Sequence, residues 1–132
     1  MDEKLLTVLV VDDDESVRRA MRRLLISNGY PVLTFASAEE LLLSTQVWEN
    51  VCLLLDIRLP GISGFELHAN LVASGVTCPA IFMTAHDDSQ WLEKTAAVGA
   101  VAFLRKPFGE QSLLGAIVLA CSTREETEVV PD

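Results

Sequence analysis

With 132 residues, half of them apolar, the chain has the size and composition of one compact domain with a single ordinary core. Nineteen Asp and Glu against ten Lys and Arg give a net charge of −9, which argues against nucleic-acid binding and against docking on anionic lipid, since both draw on Lys and Arg. Three cysteines, Cys52, Cys78 and Cys121, lack C-x-x-C spacing and read as small buried hydrophobes in a reducing compartment. The N-terminus shows no basic region followed by a signal-like apolar segment, and the longest apolar stretches fall far short of the roughly 20 residues of a membrane helix. The expectation is a soluble, cytoplasmic, acidic domain.

In chain order, Leu5 to Val11 is a continuous apolar run, as in a strand buried on both faces. Val17, Ala20, Met21, Leu24 and Leu25 then repeat at helical spacing, with Arg18, Arg19, Arg22 and Arg23 on the other, solvated side and Gly29 closing the helix. Tyr30 to Phe35 reads as a second strand. Ser37 and Glu40 form an expected capping box ahead of Leu41-Leu42-Leu43. Val51 to Leu55, Ala80 to Thr84 and Val101 to Arg105 are further strands. Helices are expected over Phe65 to Ala73, Ser89 to Val98 and Gln111 to Ser122. Gly115 inside the last helix marks either close packing or a looser helix. Residues 5–122 form the domain, and the acidic segment from Thr123 to Asp132 reads as a tail or linker stub. Five βα units imply an α/β fold with a parallel sheet, helices on both faces and a doubly wound order.

Ligands in such sheets bind beyond the carboxyl ends of the strands. The first strand ends there in Asp12, Asp13 and Asp14, the third in Asp56, the fourth in Thr84 and the fifth in Lys106; the second, ending in Phe35-Ala36, brings nothing. Clustered carboxylates repel unless protonated or bound to a cation, and oxygen donors with no His or Cys suit Mg²⁺. Asp14 also suits the cap of the first helix. A carboxylate nucleophile, a hard metal, a hydroxyl and a lysine together make an inventory for phosphoryl transfer.

Val10-Val11-Asp12-Asp13-Asp14, Leu55 to Gly64, Met83-Thr84-Ala85 and Phe103 to Phe108 resemble, in order and separation, the signature segments of response-regulator receiver domains. The resemblance implies a flavodoxin-like sheet of order 2-1-3-4-5. It makes Asp56 the acceptor of a phosphoryl group from a sensor histidine kinase. Asp13, Asp56 and the backbone carbonyl of Arg58 would ligate Mg²⁺, with Asp12 acting through water. Lys106 and Thr84 would contact the phosphoryl oxygens, and Thr84 and Phe103 would form the switch. The resemblance further implies a cis Lys106-Pro107 bond and a homodimer or partner surface on the fourth helix, fifth strand and fifth helix. Catalysis would extend only to the domain's own acyl phosphate. Arg58 and His86 sit where the phosphoryl group's lifetime is tuned, and their size suggests a persistent phosphorylated form. The Lys-Pro-Phe ending resembles the subgroup often joined to a helix-turn-helix effector, which implies transcription regulation.

Two other readings compete. Asp12-Asp13-Asp14-Glu15-Ser16 also fits the D-x-D-x-[ST] pattern of haloacid-dehalogenase-type phosphatases, with Asp12 as nucleophile. The order of the remaining acids and Lys106 is wrong for that family, and the chain is short for it. A non-phosphorylated interaction module of the same fold is the other. A nucleotide carrier is disfavoured, because no G-x-x-x-x-G-K-[ST] or G-x-G-x-x-G loop is present.

Overall fold

Apolar runs that can be buried on both faces become the middle of a sheet, and the amphipathic segments between them become its covers. The computed structural model describes residues 6–44, 48–85 and 89–128. It contains β1 (Thr7–Val11), α1 (Glu15–Ser27), β2 (Val32–Phe35), α2 (Ala38–Leu43), β3 (Val51–Asp56), α3 (Gly64–Ala73), β4 (Ala80–Thr84), α4 (Ser89–Ala97), β5 (Ala102–Arg105) and α5 (Glu110–Glu128). All the strands pair in parallel, in the expected order β2-β1-β3-β4-β5. The chain runs outward from β1 to β2 and then returns past β1 to β3. The carboxyl ends of these two neighbours therefore form the crevice where the winding reverses.

The period of two along each strand divides the core. Leu9, Val11, Leu53, Leu55 and Phe82 face one layer, with Leu41 of α2 and Leu67 and Leu71 of α3. Val8, Val10, Cys52, Leu54, Ile81 and Met83 face the other, with Met21 and Leu25 of α1 and Leu113 and Ile117 of α5. Cys52 is buried and Cys78 and Cys121 are half-buried, and none of the three forms a disulfide. Burial pushes the Cys78 thiol up to about 11, so it stays protonated at neutral pH.

Local boundaries differ from the sequence expectations in instructive ways. Glu40 caps α2 only by half. Its N–H donates to Ser37 Oγ as expected, but its own carboxylate accepts from Ala36 rather than from Ser37. The reciprocal box occurs instead at α3, between Ser63 and Glu66. A Cβ on Gly115 would meet nothing within 4 Å, so this glycine does not mark close packing. α5 continues past Ser122 to Glu128, into the segment expected to be a tail, while Leu5 and residues 129–132 lie outside the described residues.

Gly64 is the glycine the fold cannot exchange. A Cβ there would stand 2.1 Å from the carbonyl oxygen of Asp56, a backbone atom with no room to yield. Gly64→Ala is expected to lower stability by about 1–3 kcal/mol in urea denaturation, while Gly115→Ala, in open space, leaves it unchanged or raised.

His68 of α3 is buried, with its ring edge-on to Phe82 at 5.5 Å between centroids. Burial lowers its pKa below the ordinary 6.5, because the charged form loses water. The unfolded chain therefore binds a proton first as the pH falls, and the stability present above the ordinary value is lost on acidification through it. The denaturation midpoint should fall between pH 7.5 and 5.5 by more in the wild type than in His68→Gln.

Candidate functional site

Each strand end is fixed by its neighbour before a side chain is presented. The N–H of Asp12 donates to Phe35 O of β2 at 3.1 Å, that of Ile57 to Met83 O at 2.9 Å, and that of Lys106 to Thr84 O at 2.8 Å. β2 thus contributes a backbone acceptor, although its side chains bring nothing to the site.

The strand ends bring Asp12, Asp56 and Lys106 into one bonded group. Lys106 Nζ donates to Asp12 Oδ2 at 2.5 Å and to Asp56 Oδ2 at 2.9 Å. The remaining carboxylate oxygens accept from backbone, Asp12 Oδ1 from Asp14 N–H at 2.9 Å and Asp56 Oδ1 from Arg58 N–H at 3.0 Å. Asp12 is fully buried, Asp56 nearly so, and Asp13 is exposed beside them. Carboxylate oxygens of Asp12, Asp13 and Asp56 all lie within 4.8 Å of one another.

Burial raises the Asp56 pKa above its ordinary value. The Lys106 hydrogen bond and charge oppose that rise, and the charge of Asp12 adds to it. For Lys106, burial pulls downward, but the bonds to Asp12 and Asp56 more than reverse it, leaving the ammonium above its ordinary value. Three carboxylates against one ammonium leave two negative charges in the cluster. Hard oxygen donors at this spacing fit a small divalent cation such as Mg²⁺.

Thr84 is fully buried at the end of β4, and the alternation along that strand assigns it to the Phe82 side of the sheet. Phe103 of β5 pairs in register with Phe82 and packs, half-buried, on the same core layer as Trp91. The Lys106-Pro107 peptide is cis, as expected. The side chain of Arg58 is exposed, and His86 lies outside the described residues.

Asp14 caps α1, its Oδ1 accepting from the N–H and Oγ of Ser16, at 2.9 and 2.7 Å, and from Val17 N–H at 3.4 Å. The Ser16 hydroxyl bond holds its carboxyl below the ordinary range. Arg18 departs from expectation. It is not simply on the solvated face, because Nη1 donates to the backbone oxygen of Asp12 at 2.7 Å. A cation one turn into a helix capped just after Asp12 was the available signal, hidden among three other arginines.

Residues 8–118 match the family model described as the response regulator receiver domain. The chain belongs to this receiver family. Among similar proteins, Nodulation protein W of Bradyrhizobium diazoefficiens is 44% identical over 113 residues, covering 86% of this chain and 50% of that protein. Response regulator protein TmoT of Ectopseudomonas mendocina is 37% identical over 117 residues, covering 89% and 53%. Of solved structures, FixJ-N superposes with a TM-score of 0.83 at 34% identity, covering 98% of this chain and all of that one. The response regulator StyR gives 0.85 at 43% identity, covering 94% and 63%. The receiver domain thus spans about half the length of the curated relatives it matches.

Lys106 is the receiver's internal counter-ion, and its removal isolates that role. Lys106→Met is expected to raise the Asp56 pKa further, read by carbon NMR of the carboxyl, and to cost roughly 1–3 kcal/mol at neutral pH. The deficit should shrink on acidification, as protonation of one carboxylate relieves the repulsion.

Proposed function

We propose that this receiver domain is a phosphorylation switch that accepts a phosphoryl group on Asp56 from the phosphohistidine of a sensor histidine kinase. The observation that carries the reading is the bridge from Lys106 to both Asp12 and Asp56, with the Asp13 carboxylate alongside. A carboxylate oxygen of Asp56 forms the new bond to phosphorus as the phosphorus–nitrogen bond breaks, and the electron pair leaves on the imidazole. Asp12, Asp13, Asp56 and the carbonyl of Arg58 would hold Mg²⁺, which when bound neutralises charge developing on the phosphoryl oxygens. Lys106 then shifts its donors from carboxylate to phosphoryl oxygen, and the Thr84 hydroxyl donates to another.

Drawing Thr84 toward the new charge biases the loop after β4, with Phe103 moving as Thr84 vacates its place. The face of α4, β5 and α5 then changes its association. Leu92 of α4 and Val118 and Leu119 of α5 are 49%, 56% and 54% exposed, apolar surface available for a second copy or a partner. The domain turns over no separate substrate; its chemistry concerns its own acyl phosphate. No helix among the described residues is long and apolar enough to cross a membrane; the proposed site of action is the cytoplasm, where a sensor kinase would present its phosphohistidine. Relatives named as transcriptional regulatory proteins, TdiR of Thauera aromatica among them, support transcription regulation as the output. The phosphatase reading loses support because Asp14, the second acid of its motif, is committed to the cap of α1.

Incubation with acetyl phosphate and Mg²⁺ should add one phosphoryl mass to the intact protein. The adduct should vanish without Mg²⁺ and in Asp56→Asn. An adduct that persists in the variant would move the nucleophile elsewhere, and none in the wild type would leave a silent interaction module.

A further inference from the structure

Glu39 and Glu40 stand side by side in the first turn of α2 and bond in different directions. Glu40 acts locally, its Oε1 accepting from Ala36 N–H at 2.7 Å. Glu39 reaches a segment 23 residues away, where its Oε2 accepts from Ile62 N–H at 3.1 Å. The loop after β3 is shaped to receive it. Gly61 has φ 76°, and a Cβ there would stand 2.5 Å from the same Oε2. The Pro60-Gly61 turn therefore lies against the carboxylate as only a glycine can. The start of this loop is tied differently, because Arg58 N–H donates to Asp56 Oδ1. That oxygen belongs to the carboxylate that a cation and a phosphoryl group would engage, so this tie competes with the chemistry. The Glu39 bond draws on no member of the acidic cluster and persists whatever Asp56 binds.

We propose that Glu39 is a positioning residue for the cation site, holding the loop that carries the Arg58 carbonyl so that the site prefers Mg²⁺ to Ca²⁺. The inference rests on the proposed site, in which Asp12, Asp13, Asp56 and that carbonyl hold a divalent cation. Mg²⁺ demands near-ideal octahedral geometry at about 2.0–2.1 Å, whereas Ca²⁺ accepts irregular oxygen sets at about 2.3–2.6 Å. A backbone ligand on a loosened loop therefore penalises the smaller ion more. Charge alone acts otherwise. Removing one negative charge near the site weakens two ions of equal valence by similar factors. Selectivity between them thus separates a tie on the loop from a contribution to the local field.

The test titrates unphosphorylated protein with MgCl₂ and with CaCl₂ by calorimetry, in the wild type, Glu39→Ala, Glu39→Gln and Glu40→Ala. Both glutamates are exposed, and a urea midpoint for each variant checks that it is folded. Glu39→Ala should weaken Mg²⁺ about three- to fivefold and Ca²⁺ by less than about twofold. Glu39→Gln should recover most of the Mg²⁺ affinity, since its amide oxygen still accepts from Ile62 N–H. Glu40→Ala removes a like charge from the same turn without touching the loop, and should keep the wild-type ratio. Equal weakening of both ions in Glu39→Ala, or no weakening of either, overturns the proposal. So does a Glu39→Gln protein as weak as Glu39→Ala, or a Glu40→Ala protein with the same loss of preference. A wild type that binds neither ion is a separate failure, which removes the cation site and the proposal with it.

Discussion

Two carboxylates and one ammonium hold the carboxyl ends of β1, β3 and β5 together. Buried acids this close repel by several kcal/mol unless something answers them, and Lys106 answers both at once. The arrangement depends on the winding of the sheet, which makes β1 and β3 neighbours, and on the register that brings the end of β5 beside that of β4. It also depends on strand ends held in place by each other's carbonyls. Taking the lysine away would leave two buried charges facing each other, and adding a dianionic phosphoryl group calls for still more positive charge. In the proposed switch, this electrostatic debt is what would make the site respond to phosphorylation.

Much of this was legible in the sequence because its signals are local. A run such as Val51 to Leu55 ending in Asp56 has few interpretations, and period two assigns each of its residues to a layer. The positions of Asp12, Asp13, Asp56, Thr84 and Lys106 followed from the ends of such runs. What was not legible depends on tertiary neighbours. Glu40 reaches Ala36 instead of Ser37, and Arg18 turns back to the Asp12 carbonyl, for reasons that lie in three-dimensional placement rather than spacing. The collision that fixes Gly64 likewise appears only once the first turn of α3 is seen against the backbone of Asp56.

The two sides of the site differ in how firmly they are built. β3 is buried along its whole length, and α3 begins against it, with Gly64 N–H on Ile57 O at 3.0 Å and a reciprocal cap. The loop after β3 is tied further by Glu39 of α2, which accepts from Ile62 N–H at 3.1 Å. β5, by contrast, is an edge strand with no fully buried residue. The α3 side of Asp56 is thus more tightly tied than the β5 side.

The alternation of side chains adds a geometric consequence. Asp56 shares its parity with Cys52 and Leu54, on the side covered by α1 and α5, whereas Thr84 and Phe103 share theirs with Phe82, on the side covered by α2 and α3. The charged cluster therefore lies on one side of the sheet and Phe103 on the other. The sheet is a partition between them, and in the proposed switch Thr84, at the end of β4, would be what couples one side to the other.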